Sequence, residues 1–277
     1  MINDYLQKTK DYHDKRYREL GISFQRKHVN EDVIRFFYKY KLRGKRILDI
    51  GCGSGRNSIF FLNQNCKVMA LDFSIEGIKV FKKIIKNKKT NKLKLVLDSL
   101  PYLKKTNGKY DSVIDCFSSY CLIKKDFIIY LANIRKKLKK NGIYHLQILS
   151  KNSDIFKKFK PAKKIGNSIL SQKRKTSPFF GDEYLFSFYS KKELVSLLKF
   201  FFKIVSFEVL SRTYRNTSEH FEYFIVECKN CGLNFTNPRP SISDIAAYYP
   251  KNYSFYKDNT LNKYKEFILN FLSNSFI

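Results

Sequence analysis

The stretch Arg46-Ile47-Leu48-Asp49-Ile50 is a short apolar run that leads directly into Gly51-Cys52-Gly53-Ser54-Gly55, three glycines spaced two apart, and then into an amphipathic segment from Arg56. The run reads as a buried strand and the segment after it as a helix, so the glycines form the turn between them. Glycine is needed where the backbone turns sharply and approaches a ligand with no Cβ in the way, and the following helix presents free N–H groups to an anionic group. The pattern is a nucleotide-cofactor loop. A second strand, Lys67-Val68-Met69-Ala70-Leu71-Asp72, closes on a carboxylate 21 positions after Gly51, where it can hold ribose hydroxyls.

The glycine spacing discriminates between cofactors. A dinucleotide loop reads G-x-G-x-x-G, its third glycine allowing close helix–strand packing around a pyrophosphate. Here G-x-G-x-G is followed by Arg56, which favours S-adenosylmethionine over NAD and makes an NAD-linked oxidoreductase the weaker reading. The segment Leu48 to Gly55 resembles the first motif of the class I S-adenosylmethionine-dependent methyltransferases. The extension Gly55-Arg56-Asn57 is similar to their small-molecule branch, which includes the tellurite-resistance type.

Beyond residue 45, strands and helices alternate, as in parallel βαβ units. Strands are expected at 46–50, 67–72, 93–98, 110–116 and 143–149. Helices are expected from about 56, over 75–88 with Ser74 as N-cap, and over 126–139 with a stop at Asn141-Gly142. Ser190 caps a helix to about Phe202, and 203–212 with 219–227 reads as a hairpin. Before the loop, residues 1–44 look helical; Asn30-Glu31-Asp32 starts their second helix and Gly44 ends it. The resemblance implies an α/β, Rossmann-like, doubly wound fold: a mostly parallel seven-stranded sheet whose last strand is antiparallel, with the hairpin supplying that strand, plus a small C-terminal appendage. The expected division is a helical cover over the cofactor pocket (1–44), an S-adenosylmethionine-binding domain (45–227) with a substrate-side insertion at 150–181, and the appendage (228–277).

The resemblance also distributes roles. Asp49 accepts hydrogen bonds from the loop or, through water, from the methionine ammonium. Gly51, Cys52, Gly53, Gly55, Arg56 and Asn57 form the cradle, and Asp72 with Phe73 closes the second strand on the ribose side. Asp98-Ser99-Leu100 resembles the adenine-binding motif, although a strand-ending Asp also serves as a turn former. Asp115, Cys116 and Phe117 end the fourth strand and are expected to line the methionine part. Methyl transfer is an in-line displacement at a sulfonium carbon, governed by alignment and exclusion of water. A base is required only where the nucleophile begins protonated, and Tyr120, His145, Tyr12 and His28 are candidates among which the residues do not choose. The segment 111–122 has neither the N/D-P-P-Y/F sequence of adenine-amine methylation nor the Pro-Cys of cytosine-C5 methylation. The expected acceptor is therefore a small molecule.

A formal charge of +30 invites a nucleic-acid reading, since lysine and arginine neutralise phosphates without sequence preference. The excess is lysine spread through every segment, as a compositional drift of the whole genome gives; a non-catalytic RNA- or partner-binding module on the same fold, which the charge and the half zinc ribbon support, is the alternative. Six cysteines fall short of a disulfide scaffold, residues 1–20 contain no apolar leader core, and no 18-residue uncharged apolar run occurs. The expectation is a cytoplasmic protein with reduced thiols and no membrane span. Neither the acceptor atom nor the oligomeric state is written in these residues.

Residues 228–256 resemble the second half of a zinc-ribbon preamble found in some surface-polysaccharide and natural-product methyltransferases. A structural zinc takes four ligands. Cys228 and Cys231 supply two and His220 at best a third, so no metal is expected, and a knuckle-like turn or fusion remnant is the favoured reading. Residues 260–277 read as an amphipathic helix.

Overall fold

Strand β1 (Arg46–Ile50) is buried at every residue but the first, because it lies between packed layers on both faces of a parallel sheet. It pairs in parallel with β2 (Lys67–Asp72) and β4 (Tyr110–Cys116). β3 (Leu93–Leu97) extends the sheet beyond β2 and β5 (Leu138–Leu149) beyond β4, again in parallel. The hairpin of β9 (Lys203–Thr213) and β10 (His220–Lys229) completes a seven-stranded sheet of order β3-β2-β1-β4-β5-β10-β9. β10 is antiparallel to both its neighbours, so β9 runs in the sense of the parallel strands. This is the expected mostly parallel, Rossmann-like sheet. The computed structural model describes residues 4–230 apart from 25–27, 87–89, 171–174, 176–180, 182–183 and 214–218. The chain divides into two compact units, Met1–Cys231 and Gly232–Ile277. Cys231 and the expected 260–277 helix lie outside the described residues.

On one face, α2 (Glu31–Lys39), α3 (Arg56–Asn63) and α4 (Ile75–Ile85) bury Phe36, Phe37, Phe61, Ile78 and Phe81 against Ile47, Val68, Ala70 and Ile114. Each such ring or branched chain contributes about 1.5–3 kcal/mol of hydrophobic stabilisation. On the other face, α5 (Lys124–Lys137) is buried from Phe127 to Ala132 and packs with α7 (Lys191–Phe201). Ser190 and Glu193 form a capping box at the start of α7, and Asn30 and Ser74 cap α2 and α4. Each cap is worth about 1 kcal/mol.

Several boundaries differ from the sequence expectation. α2 ends at Lys39, ahead of Gly44, as Lys41 turns left-handed (φ 49°). α4 ends at Ile85. α5 stops at Lys137, and Asn141-Gly142 falls inside β5 instead of ending the helix. The reason is a pairing partner: the Asn141 N–H donates to the Asn230 carbonyl and the Asn230 N–H to the Gly142 carbonyl, both at 2.9 Å. The left-handed Asn141 is thus taken into the sheet. Between β5 and α7 lie α6 (Asp154–Lys157) and a three-stranded antiparallel sheet of β6 (Lys163–Ile165), β7 (Ser168–Leu170) and β8 (Leu185–Ser187).

α1 (Asp4–Leu20) is tied to both faces of the main sheet. Asp14 Oδ1 accepts from Ser74 Oγ at 2.5 Å and from the Glu76 N–H at 3.2 Å, at the start of α4. Tyr17 packs so closely that a Cβ on Gly77 would lie 2.9 Å from its ring, and the Tyr5 hydroxyl donates to Asp126 of α5. α1 therefore bridges α4 and α5 across one edge of the sheet. No described helix is long and apolar enough to cross a membrane.

Candidate active site

The turn after β1 is held in part by its own backbone. Gly51, Gly53 and Gly55 take left-handed conformations with φ of 64°, 53° and 87°. The Cys52 N–H donates to the Leu71 carbonyl at 2.9 Å, stitching the loop to β2, and the Gly55 N–H donates to the Cys52 carbonyl at 2.8 Å. At Gly55 a Cβ would lie 2.2 Å from the buried Phe81 ring of α4, so the third glycine is needed for helix packing as well as for its torsion.

Asp72 closes the loop from beyond β2. Its Oδ2 accepts from the Gly53 N–H at 2.7 Å and its Oδ1 from the Ser74 N–H at 2.8 Å. Burial pushes its pKa up to about 6, against the opposing pull of these two N–H groups. Asp49, beneath the loop, accepts from Ser58 Oγ at 2.6 Å and is pushed up to about 7, again chiefly by burial.

Where β1, β2 and β4 end, the loop faces a cavity of about 130 Å3. Its wall contains Gly51, Cys52, Arg56, Asn57, Asp72, Phe73, Asp98, Leu100, Cys116 and Phe117 among the residues expected there, and Tyr120 among the candidate bases. An adjoining cavity of about 350 Å3 shares Phe73, Asp98, Leu100 and Cys121 with it and adds Ser99. Phe117 is left-handed at φ 57°, an uncommon torsion for a bulky residue, and its N–H donates to the Gln147 carbonyl.

Other expected residues sit elsewhere. Asp115 is buried and off the cavity wall. Its Oδ1 accepts from the Ser118 and Ser119 N–H groups at 2.9 and 3.2 Å, and its Oδ2 from the Tyr130 and Tyr144 hydroxyls at 2.7 and 3.2 Å. It pins the 117–121 turn rather than facing a ligand. Asp98, although on the cavity wall, also holds its own turn, accepting from the Ser99 and Lys105 N–H groups and from Thr106 Oγ. His145 does not reach the cavity. It lies in the core against Phe36, at 4.8 Å between ring centres, and burial pushes it down to about 3. Tyr12 is off the wall, packed against the buried Tyr184 with ring centres 4.8 Å apart, and His28 is exposed. Cys228 is buried on β10, while His220 engages Ser211 and Asn152. Among the described residues no group of three or more His, Cys, Asp or Glu is placed to hold a metal.

Six wall residues lie outside the expected set: Thr9, His13 and Tyr17 of α1, Leu71 of β2, and Ser118 and Cys121 of the turn after β4. Those of α1 and of the turn reach the cavity only because α1 crosses the sheet edge and Asp115 fixes the turn. His13 Nδ1 lies 2.7 Å from the Thr9 carbonyl, and burial pushes its imidazole below the usual range.

Residues 47–142 match a family described as a methyltransferase domain. Over 106 residues the chain is 32% identical to a ribosomal protein L11 methyltransferase of Thermosipho melanesiensis, covering 38% of each; it thus spans well under half of that curated relative. Among solved structures it is similar to the 1,6-didemethyltoxoflavin N1-methyltransferase of Burkholderia thailandensis, bound to 1,6-didemethyltoxoflavin and S-adenosylhomocysteine. That likeness has a TM-score of 0.61 and 16% identity, over 83% of this chain and 90% of the other. A methyltransferase from Methanosarcina mazei gives 0.59 and 21%, over 73% and 98%. Both likenesses bear on the fold.

Proposed function

We propose that the chain, whose residues 47–142 match a methyltransferase domain, transfers a methyl group from S-adenosylmethionine to a small-molecule acceptor. The observation that carries this reading is the pairing of a side-chain-free cradle with a buried acid. Gly51 turns toward Ser118 with no space for a Cβ, and Asp72 closes over Gly53.

The residues present fit the cofactor. Leu71, Phe73 and Leu100 offer apolar wall to an adenine ring, and the Asp72 carboxylate retains acceptor capacity for ribose hydroxyls. The N-terminus of α3, with Arg56, suits the methionine carboxylate. When bound, the cofactor supplies an electrophilic methyl group on a sulfonium centre.

What the chain adds is alignment and dryness. Asp115 holds the 117–121 turn so that Phe117 and Tyr120 stand on the wall, and α1 brings Thr9, His13 and Tyr17 over the cavity. A small acceptor is supported by this enclosure and by the similar Burkholderia enzyme, whose structure holds a small heterocycle.

Calorimetric titration of the full chain with S-adenosylhomocysteine and, separately, NADH tests the reading. Binding of S-adenosylhomocysteine with a micromolar Kd, about −8 kcal/mol, is expected, with at least tenfold weakening in Asp72→Ala. Silence toward S-adenosylhomocysteine, or tighter binding of NADH, overturns it.

A further inference from the structure

His13 is the one histidine on the cavity wall among the described residues, and its geometry fixes its tautomer. Nδ1 lies 2.7 Å from the Thr9 carbonyl oxygen, which only accepts, so Nδ1 carries the proton and Nε2 the lone pair. The ring is clamped between α1 and its surroundings, with centres 5.4 Å from Phe73, 5.0 Å from Tyr184, 5.5 Å from Tyr12 and 5.9 Å from Phe24. Such a ring has little freedom to turn away.

Tyr120 on the cavity wall is backed by buried aromatic rings. Tyr184 stacks on Phe186 at 4.4 Å and Phe186 on Tyr120 at 5.5 Å, while the Tyr120 and Tyr184 hydroxyls meet at 3.1 Å. The aromatic side chains on the cavity wall itself, Tyr17, Phe73, Phe117 and Tyr120, together with a neutral imidazole suit a planar aromatic molecule bearing a weakly acidic O–H or N–H.

We infer that His13 Nε2 is the proton acceptor of the reaction, and that the methyl acceptor is a flat aromatic weak acid whose nucleophilic atom starts protonated. The inference rests on the methyltransferase reading and deepens it. In the step, the acceptor atom forms a bond to the methyl carbon, the carbon–sulfur bond breaks with its pair remaining on sulfur, and the acceptor's proton passes to Nε2. The resulting imidazolium returns that proton to water. The charged groups near His13 are Asp14, which adjoins it on α1, and Asp72, Asp98 and Arg56, which share the cavity wall. Burial keeps the ring neutral in the resting state, as a base must be.

The test uses the full chain saturated with S-adenosylhomocysteine, with ring nitrogens followed by 15N NMR and two probes of similar shape, phenol and fluorobenzene. Expected are a protonated Nδ1 and bare Nε2 at pH 7, a shift of the Nε2 resonance on adding phenol, and binding of phenol at least tenfold tighter than fluorobenzene. In His13→Phe, at S-adenosylhomocysteine concentrations that saturate the variant, the preference for phenol over fluorobenzene should disappear. A protonated Nε2, no response to phenol, or equal binding of both probes by the wild type overturns the inference. Loss of S-adenosylhomocysteine binding by the wild type instead overturns the methyltransferase reading beneath it.

Discussion

A Cβ built on Gly51 would fall 2.1 Å from Ser118 Oγ. Ser118 has no easy retreat, since its Oγ donates to the Ile50 carbonyl at 2.7 Å and its N–H to Asp115 Oδ1 at 2.9 Å. Gly51 is also left-handed, a torsion that costs alanine about 1 kcal/mol. Gly51→Ala is therefore expected to displace either the loop or the 117–121 turn. Calorimetry should show at least tenfold weaker S-adenosylhomocysteine binding, and adding Ser118→Gly should restore part of it. Unchanged affinity in Gly51→Ala would mean the loop is not the cradle.

Asp72 sets the pH dependence of cofactor binding. Burial raises its pKa to about 6, and only the ionised carboxylate has both oxygens available as acceptors. Affinity for S-adenosylhomocysteine is expected to be flat above pH 7 and to fall as pH drops through 6, approaching tenfold per pH unit. Asp72→Asn should bind more weakly at pH 7.5 and lose this dependence. Calorimetry from pH 5 to 8 on both proteins checks it.

The sheet and the loop were legible because their signals are local. β1 and β2 are apolar runs with an acid at a defined position, and Ser74, Ser190 and Asn30 cap helices through bonds spanning two or three residues. The same locality explains the misses. Asn141-Gly142 has the chemistry of a helix stop, but Asn230, some ninety residues later, claims it for β5. Asp115 reads as a strand-end ligand, yet Tyr130 and Tyr144 turn it inward. The resemblance implies a helical cover, but nothing within α1 says which of its residues faces the cavity, so the sequence offers Tyr12 as a candidate base and not His13. That placement depends on Asp14 meeting Ser74 and on Tyr5 meeting Asp126.

Asp14 therefore deserves a separate test as the clip between α1 and α4. Burial raises its pKa, but hydrogen bonds from Ser74, Lys10 and the Glu76 N–H outweigh this and hold it below the ordinary carboxylate range. Its charge also faces the N-terminus of α4, where an anion is favoured. Asp14→Ala is expected to destabilise the chain by about 1–2 kcal/mol, in the range of a lost cap. Hydrogen exchange should speed up across 5–20 while β1 and β4 stay protected. Uniform protection of α1 in the variant would show that its aromatic contacts hold it without the clip.

Asp49 gives the stability of the ligand-free chain a definite slope. Burial raises its folded pKa to about 7, opposed by Ser58 and Arg56, whereas in the unfolded chain an aspartate titrates near 3.9. Between these values the folded chain keeps a proton that the unfolded chain has released. The Asp49 contribution to stability is therefore most favourable below about pH 4 and is lost as pH rises through 7. Asp49→Asn carries no such proton. In urea unfolding at pH 4.5, 5.5, 6.5 and 7.5, the free energy of the variant minus that of wild type should rise with pH, by roughly a few kcal/mol in total. Carboxylates held low, such as Asp14 and Asp111, titrate alike in both proteins and cancel in the difference. A difference that stays level across the series would place the Asp49 carboxyl in contact with water, and the loop above it could not then be sealed.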